Sequence, residues 1–140
     1  MATEQVRIAV LEEQALFRKA LCHVLTKDER FRVVNECLES CDVSRIAAAK
    51  PDLTLFDVDF QKGDPVETVR TLRQAHPTGK ICLLSMNAQQ ALLERSLVHG
   101  LEGYIIKDIG LNDLFRALFS IANGEMLSLI HISEPTRQAE

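Results

Sequence analysis

Four short, continuously apolar runs recur along the chain, each separated from the next by a segment of helical periodicity, and that alternation is its strongest constraint. The runs are Ile8–Leu11, Leu53–Phe56, Ile81–Leu84 and Tyr104–Ile106. A fifth, Phe31–Val34, is more mixed and suits a strand nearer a sheet edge. Strands this short and this uniformly apolar belong in a parallel sheet covered on both faces.

The intervening segments carry helix patterns and boundaries. Phe17, Leu21, Val24 and Leu25 share one face of a first helix. A short second helix is expected over Val43–Ala49, stopping before Pro51. The third has Asp64 as N-cap, Pro65 at the first helical position and Glu67 placed to reach back in a capping box. A fourth is expected from about Ala88 to His99, with Gly100 as its stop, and a fifth carries the stripe Leu111, Leu114, Phe115 and Leu118. Strand then helix, five times over, defines a doubly wound α/β (βα)5 domain with a five-stranded parallel sheet.

Such folds bind ligands beyond the carboxyl ends of their strands, where strand order reverses. The residues at those ends are therefore the candidates: Glu12 and Glu13 after the first strand, Asp57 after the third, Ser85 after the fourth and Lys107 after the fifth. Carboxylates crowded at one rim repel one another, and a hard divalent cation with oxygen ligands relieves the repulsion. An acid cluster with a cation, a lysine and a hydroxyl is what a transferred phosphoryl group requires. Each piece alone is commonly a solvated loop residue or a helix cap; their joint occurrence at the right ends carries the signal.

Composition narrows the alternatives. The 140 residues are 46% hydrophobic and 26% charged, an ordinary globular balance long enough for one core. A net charge of −4 gives no overall basic footprint for nucleic acid. No signal peptide and no apolar run near ~18 residues marks export or membrane insertion, so the expected location is the cytoplasm. The four cysteines, Cys22, Cys37, Cys41 and Cys82, form no C-x-x-C pair and read as reduced, partly buried thiols. The histidines have no metal-ligand spacing, and His23, His76 and His99 read as helix-surface or helix-end residues.

On these motifs the chain resembles the response-regulator receiver domains of two-component signalling, flavodoxin-like (CheY-like) in fold, and specifically the NarL/FixJ subfamily. VRIAVLEEQALFRKAL resembles that subfamily's first strand, acidic pair and helix start. PDLTLFD resembles the phospho-acceptor strand, KICLLS the strand with the switch hydroxyl, GLEGYIIKD the lysine strand and IANGEM the closing segment. The resemblance implies that Asp57 accepts a phosphoryl group from a sensor histidine kinase. It implies Mg²⁺ held by Glu12, Glu13, Asp57 and the backbone carbonyl of Asp59. Lys107 and Ser85 would hold the phosphoryl oxygens, and Tyr104 would turn inward as the hydroxyl moves. The charge change then shifts a population between two packings of the fourth helix, fifth strand and fifth helix. On this reading the domain is a switch and not an enzyme.

The chain departs from the subfamily pattern in several places. Glu13 adds a methylene where aspartate is usual, Phe60-Gln61-Lys62 replaces Met-Pro-Gly, and Met86 follows the switch serine. Asp59 and Asn87 occupy positions that tune phosphoryl lifetime, and an acidic side chain at 59 has three open roles: repelling phosphate, recruiting metal or facing solvent. Two alternatives therefore stand. One is a pseudo-receiver, a phosphorylation-independent interaction module. The other is a haloacid-dehalogenase-like phosphatase fragment, suggested by Asp57-Val58-Asp59 but opposed by the position and order of its motifs.

Residues 1–126 form the expected receiver domain. The tail LSLIHISEPTRQAE, residues 127–140, resembles translated sequencing-library adapter and is expected to be a loosely attached, non-native segment. It begins where the subfamily's receivers give way to a helix-turn-helix output domain, so a longer DNA-binding transcriptional regulator is the expected parent. Without a recognition helix or basic stripe, the chain itself is not expected to bind DNA. Homodimerisation through a helical face is compatible with the pattern.

Overall fold

The computed structural model describes residues 4–37, 43–59 and 61–125. In chain order it runs β1 (Val6–Leu11), α1 (Ala15–Lys27), β2 (Phe31–Cys37), α2 (Val43–Ala49), β3 (Leu53–Asp57), α3 (Pro65–Ala75), β4 (Lys80–Ser85), α4 (Gln90–Leu97), β5 (Gly103–Ile106) and α5 (Leu111–Ala122). The five strands form one parallel sheet in the order β2-β1-β3-β4-β5. The doubly wound expectation holds, and the mixed second strand does lie at an edge. Its ladder to β1 slips by one residue, with Ile8 opposite Val33 and Ala9 opposite Asn35.

The three central strands are apolar because both of their faces are covered. Ile8, Ala9, Leu53, Phe56, Cys82, Leu83 and Ile105 have no exposed surface at all. From α5, Leu114, Phe115, Leu118 and Ile121 close one side of this core, whereas Leu111, expected in the same stripe, is half exposed. It is the first residue of the helix.

Helix boundaries follow from where the backbone donors and acceptors go. Asp64 caps α3 by accepting from the Val66 amide at 3.0 Å. The expected return contact from Glu67 is absent; instead its Oε1 accepts twice from the Arg70 guanidinium, at 2.7 and 3.0 Å. Two charge-assisted bonds to one carboxylate oxygen draw the side chain away from a single bond to a backbone amide. Helix α4 is shorter than its periodicity suggests, starting at Gln90 and ending at Leu97. At its start, the Asn87 carbonyl that a longer helix needs already accepts from Ser85 Oγ at 3.0 Å and Tyr104 Oη at 2.9 Å. At its end, Gly100 at φ +81° returns its amide to the Leu97 carbonyl, as expected of a glycine stop.

Cys22 and Cys82 are buried free thiols, in keeping with the reduced reading; Cys37 is buried too, and Cys41 lies outside the described residues. His76 ends α3 and its Nε2 lies 2.7 Å from the Pro51 carbonyl. Residues 127–140 also lie outside the described residues. Among the described residues no helix is long and apolar enough to cross a membrane.

Candidate functional site: an acid pocket at the strand-order switch

From β1 the chain passes outward to β2, then returns to place β3 on the other side of β1. The crevice this reversal opens lies beyond the carboxyl ends of β1 and β3. Glu12 follows β1, and Asp57 is the last residue of β3. Both carboxylates are almost fully buried, at 1% and 2% exposure. Ser85 ends β4, and Lys107 directly follows β5, so the parallel register delivers both to the same rim.

The Lys107 ammonium is the centre of the arrangement. It lies 2.6 Å from Asp57 Oδ2 and 2.9 Å from Asp59 Oδ2, and sits 4.7 Å above the centroid of the Phe17 ring. Burial opposes its charge, but the two carboxylates outweigh that cost and raise its pKa above the ordinary lysine value. Asp57 Oδ1 accepts from the Asp59 amide at 2.9 Å. Both oxygens of the proposed acceptor are therefore oriented.

Glu12 is balanced differently. Its Oε2 accepts from the Gln14 amide at 2.7 Å, but Oε1 is buried without a donor. Burial, reinforced by the adjacent Asp57 carboxylate, pushes its pKa up to about 8. Two neighbouring carboxylates either share a proton or share a cation. That orphaned oxygen beside Asp57 is a donor set that fits a hard divalent cation such as Mg²⁺. Glu13 is placed elsewhere: its Oε2 accepts from the Lys62 amide at 3.2 Å, across to the loop after β3. Among the described residues, no group of three or more His, Cys, Asp or Glu side chains converges in a metal-holding arrangement.

Asp59 is the residue that sequence reasoning placed least well. The family resemblance gives its backbone carbonyl to metal and leaves its side chain three open roles, yet the carboxylate lies inside the pocket. Oδ2 accepts from the Met86 amide at 2.9 Å as well as pairing with Lys107, and Ser85 Oγ lies 3.3 Å from Oδ1. The available signal was an Asp-x-Asp at a strand end with a lysine at the end of a nearby parallel strand. Tyr104 is fully buried; besides donating to Asn87, its hydroxyl accepts from the Gln89 amide at 3.1 Å.

The sheet order, the buried acid pair at its switch point and the lysine spanning two aspartates define an acid pocket on a five-stranded doubly wound fold. The profile of the response regulator receiver domain matches residues 8–119, and the chain belongs to that family. It is 26% identical to the transcriptional regulatory protein DegU of Brevibacillus brevis over 86% of this chain and 51% of that one. It is also 26% identical to the nitrate/nitrite response regulator protein NarL of Escherichia coli K12, over 89% of this chain and 58% of that one. Among solved structures, the signal receiver domain of NarL from Mycobacterium tuberculosis superposes with a TM-score of 0.79 at 23% identity, covering 88% of this chain and all of that one. The chain spans about half the length of these curated relatives.

Proposed function

We propose that this domain is a phosphorylation-driven switch in which Asp57 takes a phosphoryl group from a sensor histidine kinase. The observation that carries the reading is the 2.6 Å contact between Asp57 Oδ2 and Lys107 Nζ in a buried pocket at the strand-order switch. A buried carboxylate held by one lysine, with its other oxygen oriented by an amide, is a positioned nucleophile. Its attack breaks the bond from phosphorus to the donor nitrogen and forms an acyl phosphate on Asp57.

Lys107 neutralises the charge gathered on the phosphoryl oxygens, and Ser85 offers them a hydroxyl donor. Glu12 and Asp57 are the side chains that would hold Mg²⁺, which when bound supplies charge neutralisation at the same oxygens. Glu13 joins that set only by leaving the Lys62 amide. The hydroxyls of Ser85 and Tyr104 meet at the Asn87 carbonyl, so a change at Ser85 reaches the start of α4. Control of transcription belongs to a longer parent on the strength of the named relatives, and a cytoplasmic location follows from the kinase partner.

Incubation with Mg²⁺ and acetyl phosphate, read by intact mass, tests the proposal. One added phosphoryl group, lost in Asp57→Ala, is the expected result. A pseudo-receiver reading is favoured by one specific observation, the occupation of Lys107, Ser85 and the Met86 amide by Asp59. Absence of any adduct with acetyl phosphate and with kinase would establish it.

A further inference from the structure

The donors that a phosphoryl group on Asp57 needs are already taken. Lys107 Nζ at 2.9 Å and the Met86 amide at 2.9 Å converge on Asp59 Oδ2, and Ser85 Oγ stands 3.3 Å from Oδ1. They come from the ends of two strands and the turn after β4, so no local turn preference of Asp59 brings them together. The Asp59 side chain is only 10% exposed, so this carboxylate is not a solvated surface group that brushes the lysine.

We infer that Asp59 is a resident internal ligand of the phosphoryl site, a carboxylate that stands in for the phosphoryl group before any has arrived. This deepens the proposed function and rests on the reading of Asp57 as acceptor. A carboxylate offers two oxygens of a charged group to the same kinds of donor that a phosphoryl group uses: an ammonium, a hydroxyl and a backbone amide. Both anions satisfy them, but not at the same time. Lys107 already bridges Asp57 and Asp59, so a phosphoryl group bonded to Asp57 needs the space and the donors that Asp59 holds.

The occupied site also accounts for the arrangement beyond it. Ser85 Oγ has one proton and two acceptors in reach, Asp59 Oδ1 and the Asn87 carbonyl at 3.0 Å. The same carbonyl accepts from Tyr104, whose ring has no exposed surface. Asp59, Ser85, Asn87 and Tyr104 thus form a continuous polar chain from the anion site to the start of α4. In the resting protein Asp59 anchors the near end of this chain through Ser85. Phosphorylation then exchanges one anion for another, and the carboxylate of Asp59 must leave.

The test compares wild type, Asp59→Ala and Asp59→Asn in the full chain. Acetyl phosphate donates by breaking its acyl–oxygen-to-phosphorus bond; the phosphorus bonds to Asp57 and acetate leaves with the electron pair. Removal of an internal charged competitor is expected to speed this transfer about tenfold or more in Asp59→Ala, by intact mass against time. Asp59→Asn keeps an acceptor for the Met86 amide but loses the ion pair, and is expected to fall between.

Tyr104 is the only tyrosine and the chain has no tryptophan, so intrinsic emission reports this residue alone. Its acrylamide quenching is expected to rise in resting Asp59→Ala relative to resting wild type. An unchanged transfer rate together with unchanged Tyr104 quenching in Asp59→Ala overturns the inference. If no variant takes up a phosphoryl group, the reading of Asp57 as acceptor fails, and the resting Tyr104 signal alone decides the role of Asp59.

Discussion

Lys107 Nζ bridges Asp57 Oδ2 at 2.6 Å and Asp59 Oδ2 at 2.9 Å, so one ammonium neutralises two carboxylates that enter the pocket two residues apart. Lys107→Ala leaves Asp57 buried and unpaired. The Lys107 side chain is 17% exposed, which puts the expected loss at the lower end of the ~3–5 kcal/mol typical of breaking a buried ion pair. Urea denaturation measures it. In the Lys107→Ala/Asp57→Asn double variant the loss should be smaller than the sum of the singles, because no buried charge remains at 57.

Glu12 makes stability depend on pH in the direction opposite to most carboxylates. Its pKa rises from 4.5 to about 8 in the folded chain, so the native state holds a proton that the unfolded chain has already released. Stability from this group is complete below about 4.5 and is lost as pH rises toward about 8. Thermal melts without divalent cations should show a falling midpoint across that window, and Glu12→Gln should flatten it. Mg²⁺ added at pH 8 should restore the wild-type midpoint and leave the Glu12→Gln midpoint little changed.

Arg73 ties the end of α3 to the approaches of β4 and β5. Its guanidinium donates to the carbonyls of Pro77, Gly79, His99 and Gly100 and to Glu102 Oε1 at 2.7 Å, and that same oxygen accepts from the Ile81 amide. Arg73→Ala strands several acceptors at once and is expected to cost about 2–4 kcal/mol. Arg73→Lys, lacking the planar fork, should recover less than half of this in chemical denaturation.

Gly103 opens β5 at a point where the sheet and α5 touch. A Cβ there would lie 2.5 Å from Ile121 Cδ1 and 3.1 Å from Cys82 Sγ. Gly103→Ala should therefore destabilise by about 1–3 kcal/mol through overpacking. Adding Ile121→Val, which removes the clashing methyl, should return part of that loss in the same denaturation assay.

Helix and strand were legible wherever burial and periodicity agree, as in the fully buried run Leu53–Phe56 and the stripe Leu114, Phe115 and Leu118. The limits of α4 were not, because the groups that decide them come from elsewhere: Ser85 and Tyr104 capture the Asn87 carbonyl from two different strands. Glu67 misled for a related reason, since Arg70 one turn on competes for it.

The acid pocket divides along the same line. Strand-end position along the chain was enough to nominate Glu12, Asp57, Ser85 and Lys107, since a parallel sheet sends every strand's carboxyl end to one rim. Spacing could not say where the side chains of Glu13 and Asp59 turn. Glu13 goes to the Lys62 amide, and Asp59 goes to Lys107, Ser85 and Met86. The alternation of elements, and with it the rim on which the chemistry gathers, is written into the chain, because hydrophobic periodicity is a local property. Which carboxylate meets the lysine comes from the folded arrangement, because that is a competition among donors and acceptors far apart in sequence, settled at distances of about 3 Å.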